Sequence, residues 1–220
     1  MSAPAACLFD LDGLLLDTEP LHGLAWQQAA ASFGLELQPH QLLALRGRRR
    51  HDCAALVSRW FSAADLPVPD LEQLLARRQP IAEALLRQAR PMPGAPELVR
   101  SCQERGIAMA MVTSSSSPAV AFKEASHPWL AAIRLRIHGD DPALVAGKPA
   151  PDPYLLAAQR LKLPPQACWA FEDSPAGAMA AARAGCQLHV LLPPGLPAQQ
   201  CRPLYPEQAT FLSSLLELRF

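Results

Sequence analysis

Two aspartates near the N-terminus lie two residues apart and are followed by a glycine, in the run Phe9-Asp10-Leu11-Asp12-Gly13. Side chains two residues apart leave the end of a strand on the same side, and glycine permits the sharp turn that must follow. Carboxylates crowded into one place repel one another unless a cation lies among them. Because hard oxygen donors suit Mg²⁺ better than zinc, this run indicates a magnesium site.

Three further polar sets accompany apolar runs later in the chain: Thr113-Ser114-Ser115, Gly147-Lys148-Pro149 and Glu172-Asp173. Thr113 offers a hydroxyl, and the backbone N–H groups after it begin a predicted helix, which favours an anion. Lys148 adds a positive charge. A metal, a hydroxyl, a helix start and a lysine together form a clamp for a phosphoryl group.

A carboxylate that faces such a clamp is able to attack phosphorus and form an aspartyl phosphate, which makes Asp10 the candidate nucleophile. Asp12 is then the candidate acid that protonates the leaving oxygen, and the base that activates water in the second step. Each motif alone is weak, because D-x-D runs occur in turns and single lysines are usually solvated. Their joint occurrence, in order and at predicted strand ends, favours a functional site.

The elements that must position these residues are short apolar runs alternating with longer amphipathic ones. The apolar runs predict five strands, at residues 5–9, 107–112, 135–138, 168–171 and 187–192. Helices are predicted between them at residues 95–105, 117–125, 152–161 and 175–184. This alternation predicts a doubly wound α/β fold with a parallel sheet covered on both faces. In such a sheet, ligands gather at the carboxyl ends of the strands, where the polar sets would converge.

Residues 16–90 interrupt this pattern, because they contain no strand signal. Helices are predicted there at residues 20–33, 39–45, 51–63 and 70–89. The run Pro91-Met92-Pro93-Gly94 then ends this helical region before the second strand. We therefore predict an α-helical cap at residues 16–90, inserted into a core made of residues 1–15 and 91–220.

The bulk composition excludes several classes of function. Among 220 residues, 20 Lys+Arg balance 20 Asp+Glu, so the chain lacks the charge footprint of a nucleic-acid-binding protein. No apolar run reaches the roughly 20 residues that span a bilayer, and no secretory leader is evident. The six cysteines form no close pairs and are predicted to be reduced structural thiols. We expect a cytoplasmic protein with no obligate protein partner.

At its polar motifs the chain resembles the haloacid dehalogenase (HAD) superfamily. The resemblance extends over essentially the whole chain and depends on four pieces, at residues 9–20, 112–115, 147–152 and 171–177. It implies a Rossmann-like core with a helical cap inserted after the first motif. It also implies a Mg²⁺-dependent enzyme that acts on a small phosphorylated metabolite.

The resemblance implies roles for individual residues of the first and third motifs. Asp10 would be the nucleophile and a Mg²⁺ ligand, and Asp12 the acid/base with its backbone carbonyl on the metal. Lys148 would neutralise charge between nucleophile and phosphate. Dehalogenation is disfavoured, because it has no leaving oxygen for Asp12 to protonate. Phosphonate cleavage is disfavoured too, because it needs a cap lysine, which residues 16–90 lack.

The other two motifs would supply the phosphate contacts and the rest of the metal site. Thr113 and the backbone of Ser114 would hold the phosphoryl group. Asp173 would bind Mg²⁺, and Glu172 would bind it directly or through water.

Two branches of the superfamily compete for the detailed function. The runs Met92-Pro93-Gly94-Ala95 and Gly139-Asp140-Asp141-Pro142 look like the eukaryotic phosphatases for pseudouridine 5′-phosphate, glycerol 3-phosphate and flavin mononucleotide. They favour a phosphatase for a small monoester of the sugar, polyol or nucleoside type. A degenerate member that only binds ligands is disfavoured by the intact catalytic set.

Several cap residues instead resemble β-phosphoglucomutase, so a phosphosugar mutase is the alternative. Thr18 and His22 match the threonine and histidine that help the acid/base there, although His22 is equally compatible with packing. Arg50 falls near the place where that branch holds a substrate phosphate. Arg78 stands near the place of a mutase lysine, for which arginine is not a simple replacement. The cluster at residues 46–50 either meets an anionic leaving group or is the solvated start of a helix.

Overall fold

A computed structural model describes residues 3–193 and 198–218, and its centre is a sheet of six parallel strands. The strands are β1 (Ala6–Phe9), β2 (Ala108–Val112), β3 (Leu135–Ile137), β4 (Cys168–Glu172), β5 (Gln187–Leu191) and β6 (Thr210–Leu212). Their order across the sheet is β3-β2-β1-β4-β5-β6. This confirms the predicted α/β class, and the five predicted strands agree with the observed ones to within one residue at each end. The sequence does not predict β6, because Phe211 and Leu212 make too short an apolar run.

The register of the three central strands determines where the site lies. Phe9 of β1 pairs with Met111 of β2 on one side and with Phe171 of β4 on the other. The backbone N–H of Asp10 donates to the Phe171 carbonyl at 3.0 Å, which continues this pairing one residue past β1. The strands therefore end side by side, and the residues that follow them meet at one edge of the sheet.

Four helices follow the first strand: α1 (Glu19–Ala31), α2 (Pro39–Leu45), α3 (Arg50–Ala63) and α4 (Leu71–Leu86). They enclose an apolar cluster of their own, which includes Trp26, Phe61 and Leu74. The chain enters and leaves this region through adjacent segments, since the N–H of Asp17 donates to the Arg90 carbonyl at 2.8 Å. The predicted helices are thus present, while the division of the chain at residues 16 and 90 stays a prediction.

Further helices follow α4 along the chain: α5 (Ala95–Glu104), α6 (Ser117–Glu124), α7 (Asp152–Leu161), α8 (Pro175–Ala184) and α9 (Ala198–Cys201). Successive residues of a strand point to opposite faces of the sheet. Ala6 and Leu8 accordingly pack in one apolar cluster with α7 and α8, whereas Cys7 and Phe9 pack in a second cluster with α5. The sheet is therefore covered on both faces. Residues 1–2, 194–197 and 219–220 of the predicted core lie outside the described residues.

Two further features concern the state of the cysteines and the length of the helices. All six cysteines are free thiols and all are buried. Within residues 3–193 and 198–218, no helix combines the length and the apolar character that a membrane span requires.

The central position of β1 gives a test of the fold. Leu8 is 0% exposed, so Leu8→Ala is expected to lower the free energy of unfolding by about 2–5 kcal/mol through lost burial and a residual cavity. Leu155→Ala is the matched control, because Leu155 lies on α7 and is 43% exposed. Urea denaturation of both variants measures the difference. Equal stability losses would contradict the described packing.

Candidate active site

The candidate nucleophile lies one residue past β1, against a buried lysine. Asp10 is 3% exposed, and Lys148 donates to its Oδ1 at 2.6 Å. Lys148, in the loop between β3 and α7, also donates to the Val112 carbonyl at 2.8 Å and to Glu172 Oε1 at 2.5 Å. A buried ammonium group is stable when each of its three donors has an acceptor. Lys148 therefore ties the end of β1 to the ends of β2 and β4.

The carboxylates of Asp10, Glu172 and Asp173 form a cluster that suits a metal ion, because one oxygen from each lies within 4.8 Å of the others. Asp173 Oδ1 is buried and has no hydrogen-bond partner among the described residues. A buried polar atom of this kind needs a partner, and hard oxygen donors suit Mg²⁺. The Asp12 side chain is outside this cluster, which leaves its backbone carbonyl for the predicted role as a metal ligand.

Burial governs the ionisation of this cluster. It raises the pKa of Asp10 to about 8, with Lys148 opposing the rise and Glu172 adding to it. Burial also raises the pKa of Asp173 well above its ordinary value, although Arg46 opposes this shift. Both pKa values are raised because several anions in one desolvated site are unfavourable. A divalent cation would remove this unfavourable interaction.

Glu172, the last residue of β4, is held by more protein donors than Asp173 is. The Tyr154 hydroxyl donates to Glu172 Oε1 at 2.5 Å, alongside Lys148, and the Ser174 hydroxyl donates to Oε2 at 3.3 Å. Gly177 of α8 packs so closely that a Cβ there would overlap the Glu172 carboxylate. Oε1 thus accepts two hydrogen bonds and Oε2 only the longer one from Ser174, so Oε2 is the oxygen better able to bind a metal or a metal-bound water.

Asp12 has a separate set of partners. Its Oδ1 accepts from the Thr18 hydroxyl at 2.6 Å and lies 3.3 Å from His22 Nε2, and its Oδ2 accepts from the Ser115 hydroxyl at 2.7 Å. Lys123 Nζ lies 2.6 Å from both oxygens. Burial raises the pKa of Asp12, but Lys123 and His22 outweigh it, and the net pKa lies well below its ordinary value. Asp12 is therefore a fixed and ionised carboxylate in the resting site.

Gly13 is the residue that lets these two groups of carboxylates approach each other. Its φ is 87°, in the left-handed region that glycine adopts without strain. A Cβ at this position would overlap the Asp173 carboxylate and the side chain of Glu19. The glycine of the first motif thus turns the chain and leaves room for the fourth motif.

The predicted phosphate-binding residues follow β2. Thr113 is buried, and its hydroxyl accepts from the Ser115 N–H at 3.0 Å. The Ser114 hydroxyl donates to the Gly47 carbonyl at 2.8 Å, so this side chain joins the core to the segment between α2 and α3. α6 begins at Ser117, which is the predicted start of this helix. Its first N–H already donates to a carboxylate, that of Asp140, at 2.8 Å.

A cavity of about 510 Å³ lies between these strand ends and helices α1–α4. Asp10, Asp12 and Thr113 line it on the side of the sheet. Its apolar lining includes Trp26, Leu42, Leu45, Leu86 and Phe122, and its arginines are Arg48, Arg49, Arg50 and Arg78. A cavity of this size and mixed character accommodates a small anionic metabolite.

Arg50 and His22, the predicted substrate-binding residues of the cap, have different surroundings, and Arg78 contacts one of them. Arg50 is exposed at the start of α3 and lines the cavity. His22 also lines the cavity, but its Nε2 is directed at Asp12. Arg78 donates to His22 Nδ1 at 2.8 Å, and its guanidinium carbon lies 4.8 Å from the centroid of the Trp26 ring. Because arginine only donates, Nδ1 accepts and the Nε2 of a neutral His22 carries the proton towards Asp12.

Arg46 contributes to the site in a way that the sequence does not predict. Its Nη2 donates to Asp173 Oδ2 at 2.7 Å and its Nε donates to Glu19 Oε2 at 3.2 Å. A Cβ at the neighbouring Gly47 would overlap the Ser174 hydroxyl, so the backbone here is packed directly on the core. Pairing between residues so distant in the chain leaves no local signal in the sequence.

Lys123 is the second contributor that the sequence does not reveal directly. It lies in α6, is 3% exposed and bonds Asp12. One signal points to it. Lys123 lies on the helix that follows the Thr113 motif, and side chains in a helix tilt towards its N-terminus, so a long lysine side chain is directed back to that motif.

Comparison with known proteins finds a family match over most of the chain. Residues 4–185 match the family described as haloacid dehalogenase-like hydrolases. A probable pseudouridine-5′-phosphatase of Drosophila melanogaster is 34% identical over 195 residues, which are 86% of this chain and 82% of that protein. Fructose-1-phosphate phosphatase YqaB of Escherichia coli (strain K12) is 35% identical over 187 residues, which are 82% of this chain and 93% of that protein.

A solved structure shares the architecture. The β-phosphoglucomutase from Clostridium difficile superposes with a TM-score of 0.83, covering 99% of this chain and 94% of its own, at 19% sequence identity. At that identity, the likeness shows the fold alone.

The raised pKa of Asp10 gives a test of the metal cluster. Between its ordinary pKa of 3.8 and about 8, the metal-free folded protein retains a proton that the unfolded chain has lost, so its stability falls as pH rises. We expect the melting temperature in EDTA to fall over this range. The increase on adding MgCl₂ should be larger near pH 8 than near pH 5, because Mg²⁺ and the proton compete for Asp10.

Differential scanning calorimetry of the protein and of Asp10→Asn measures both effects. The variant lacks the titrating group, so its Mg²⁺-induced increase in melting temperature should be small and should depend less on pH. A Mg²⁺ effect that is the same at both pH values in both proteins would show that the metal does not bind at this cluster.

Proposed function

Because the chain belongs to the haloacid dehalogenase-like hydrolase family, we propose that it is a Mg²⁺-dependent phosphatase that forms an aspartyl phosphate on Asp10. The substrate is a small phosphate monoester of the sugar, polyol or nucleoside type. The observation that carries the proposal is the position of Asp10: it is buried at a strand end, bonded to Lys148, clustered with Glu172 and Asp173, and part of the cavity lining.

Asp10 performs the first step. Lys148 occupies its Oδ1, so Oδ2 is the oxygen that attacks phosphorus. The new O–P bond forms as the bond between phosphorus and the leaving oxygen breaks, and Asp12 gives its proton to that oxygen. The pKa of Asp12 is low in the resting site, but a phosphate dianion bound beside it raises the affinity of this carboxylate for a proton.

Asp12 performs the second step as a base. Once ionised, it takes a proton from water, whose oxygen attacks phosphorus and releases inorganic phosphate and the Asp10 carboxylate. Thr18 and His22 hold Asp12 during this exchange. The helices above the cavity limit the access of bulk water, which favours transfer through Asp12.

Mg²⁺ is the proposed cofactor, held by Asp10, Asp173 and Glu172 together with the backbone carbonyl of Asp12. When bound, it neutralises these carboxylates and polarises the phosphoryl group. Lys148 supplies a fixed positive charge, and Thr113 and the Ser114 backbone supply hydrogen bonds to the phosphoryl oxygens.

The mutase alternative is not favoured. The relatives described above that are more than 30% identical carry phosphatase names, whereas the similarity to the mutase is 19% identity and concerns the fold. The cavity supports a substrate with a polar, ring-like or polyol body, because Trp26 and Phe122 line it together with several arginines. We also propose a cytoplasmic location, since free thiols persist in a reducing compartment, and no role for nucleic acid or an obligate protein partner.

A substrate panel tests this function. With Mg²⁺, we expect phosphate release from at least one member of a set containing pseudouridine 5′-phosphate, glycerol 3-phosphate, fructose 1-phosphate and hexitol phosphates. Asp10→Asn should lower kcat by about a thousandfold or more, because it removes the nucleophile. Asp65→Asn is the matched control, since Asp65 is exposed at the end of α3 and its φ of 53° is one that asparagine adopts readily.

Two results would contradict the proposal. One is the absence of phosphate release from every substrate, and the other is equal activity of Asp10→Asn and the wild-type protein. Formation of glucose 6-phosphate from β-glucose 1-phosphate with a bisphosphate primer would instead restore the mutase alternative.

A further inference from the structure

We propose that Lys123 is the positioning residue for Asp12, fixing the acid/base carboxylate at the site through bonds to both of its oxygens. This inference deepens the proposed function, since it depends on Asp12 moving the protons of the reaction. The roles proposed above for the catalytic set do not use Lys123, although its ammonium lies in the middle of the site.

The hydrogen bonds of the Lys123 ammonium group all go to atoms of the candidate site. Its side chain is 1% exposed, and its three donors match three acceptors: Asp12 Oδ1 at 2.6 Å, Asp12 Oδ2 at 2.6 Å and Ser115 Oγ at 2.9 Å. A helical lysine without a functional role usually buries its stem and keeps its charge in water. Enclosing the charge is costly, and a buried ion pair adds little stability beyond an apolar pair of the same size. Stability alone therefore does not account for Lys123.

Each aspartate of the D-x-D run has its own lysine. Lys148 bonds Asp10 Oδ1 and reaches on to Glu172, whereas Lys123 bonds Asp12 and reaches on to Ser115. The first pair belongs to the nucleophile and metal cluster, and the second belongs to the group that handles protons. Lys148 and Lys123 thus keep the carboxylates of Asp10 and Asp12, which are only two residues apart in the chain, in two separate hydrogen-bonded groups.

Each of the other donors to Asp12 contacts one carboxylate oxygen, whereas Lys123 contacts both. The Thr18 hydroxyl donates to Oδ1 and His22 Nε2 lies beside the same oxygen, whereas the Ser115 hydroxyl donates to Oδ2. Lys123 bridges the two oxygens, so it opposes rotation of the carboxylate about its Cβ–Cγ bond. Thr18 and His22 also belong to the start of α1, on the side of the inserted helices, whereas Lys123 belongs to the core. Lys123 and Ser115, which are hydrogen-bonded to each other, therefore hold Asp12 from the part of the fold that carries the nucleophile.

Substitution of Lys123 tests this role by its dependence on the leaving group. With an alkyl phosphate that the panel identifies as a substrate, Lys123→Met should lower kcat/KM about 10- to 100-fold, because the leaving oxygen needs a proton from a well-placed Asp12. With 4-nitrophenyl phosphate, whose leaving group departs without a proton, the loss should be less than about threefold. Lys123→Arg should recover part of the loss. Lys162→Met is the matched control, because Lys162 is exposed, and it should match the wild type with both substrates.

A double-mutant cycle separates action through Asp12 from direct action on the substrate. If Lys123 acts by positioning Asp12, Lys123→Met should cost little further activity in an Asp12→Asn background. A full additional loss in that background would overturn the proposal, and so would equal losses with the alkyl and nitrophenyl substrates. The first result would make Lys123 a substrate-binding group, and the second would make it a general structural residue.

A spectroscopic measurement keeps this inference separate from the proposed function. The chain has three lysines, so the ¹⁵N–¹H spectrum of its lysine ammonium groups is readily assigned with Lys123→Met. A protected Lys123 signal that shifts in Asp12→Asn supports the contact even if the wild-type protein hydrolyses no phosphate, an outcome that would overturn the proposed function alone. A Lys123 signal unaffected by Asp12→Asn, or averaged with solvent like that of Lys162, would overturn the inference.

Discussion

The need to neutralise a crowd of buried carboxylates is the constraint on which the rest of this structure depends. The carboxylates are those of Asp10, Asp12, Glu19, Glu172 and Asp173, and the cations paired with them are Lys123, Lys148 and Arg46. When all five carboxyls are ionised, five negative charges against three positive ones leave two negative charges, which is the charge that a single divalent cation neutralises. This shortage of positive charge also contributes to the raised pKa values of Asp10 and Asp173, since protonation removes negative charge from the site.

This constraint explains why the residues around the site are small, or are donors. Gly13 and Gly177 stand where a Cβ would overlap the carboxylates of Asp173 and Glu172. Tyr154, which is fully buried on α7, directs its hydroxyl to Glu172, so even a large core side chain ends in a hydrogen bond to the cluster. Close packing and the hydrogen bonds to Asp10, Asp12 and Glu172 allow these like charges to remain together at the sheet edge.

Much of this arrangement could be predicted from the sequence, because its main signals are local. Apolar runs predict five strands. The residues that directly follow a strand, such as Asp10 and Thr113, are positioned by the end of that strand. Contacts between distant segments carry no such signal. Arg46 reaches Asp173 across 127 positions, and Lys123 reaches Asp12 across 111, so only the packed structure reveals them. The strand β6 escapes prediction for a different reason, since three residues with two apolar side chains resemble any loop.

The inserted helices are part of the charge balance and do more than cover the site. Arg46 meets Asp173 from the segment after α2, and Gly47 accepts from Ser114 while its backbone packs on Ser174. Withdrawing this segment would leave Asp173 without the cation that now opposes its raised pKa, and would open the cavity to water. Docking of the helices and neutralisation of the metal-site carboxylates are therefore coupled. The enclosed, low-dielectric environment that strengthens the electrostatics of phosphoryl transfer is produced by the same contacts that complete the site.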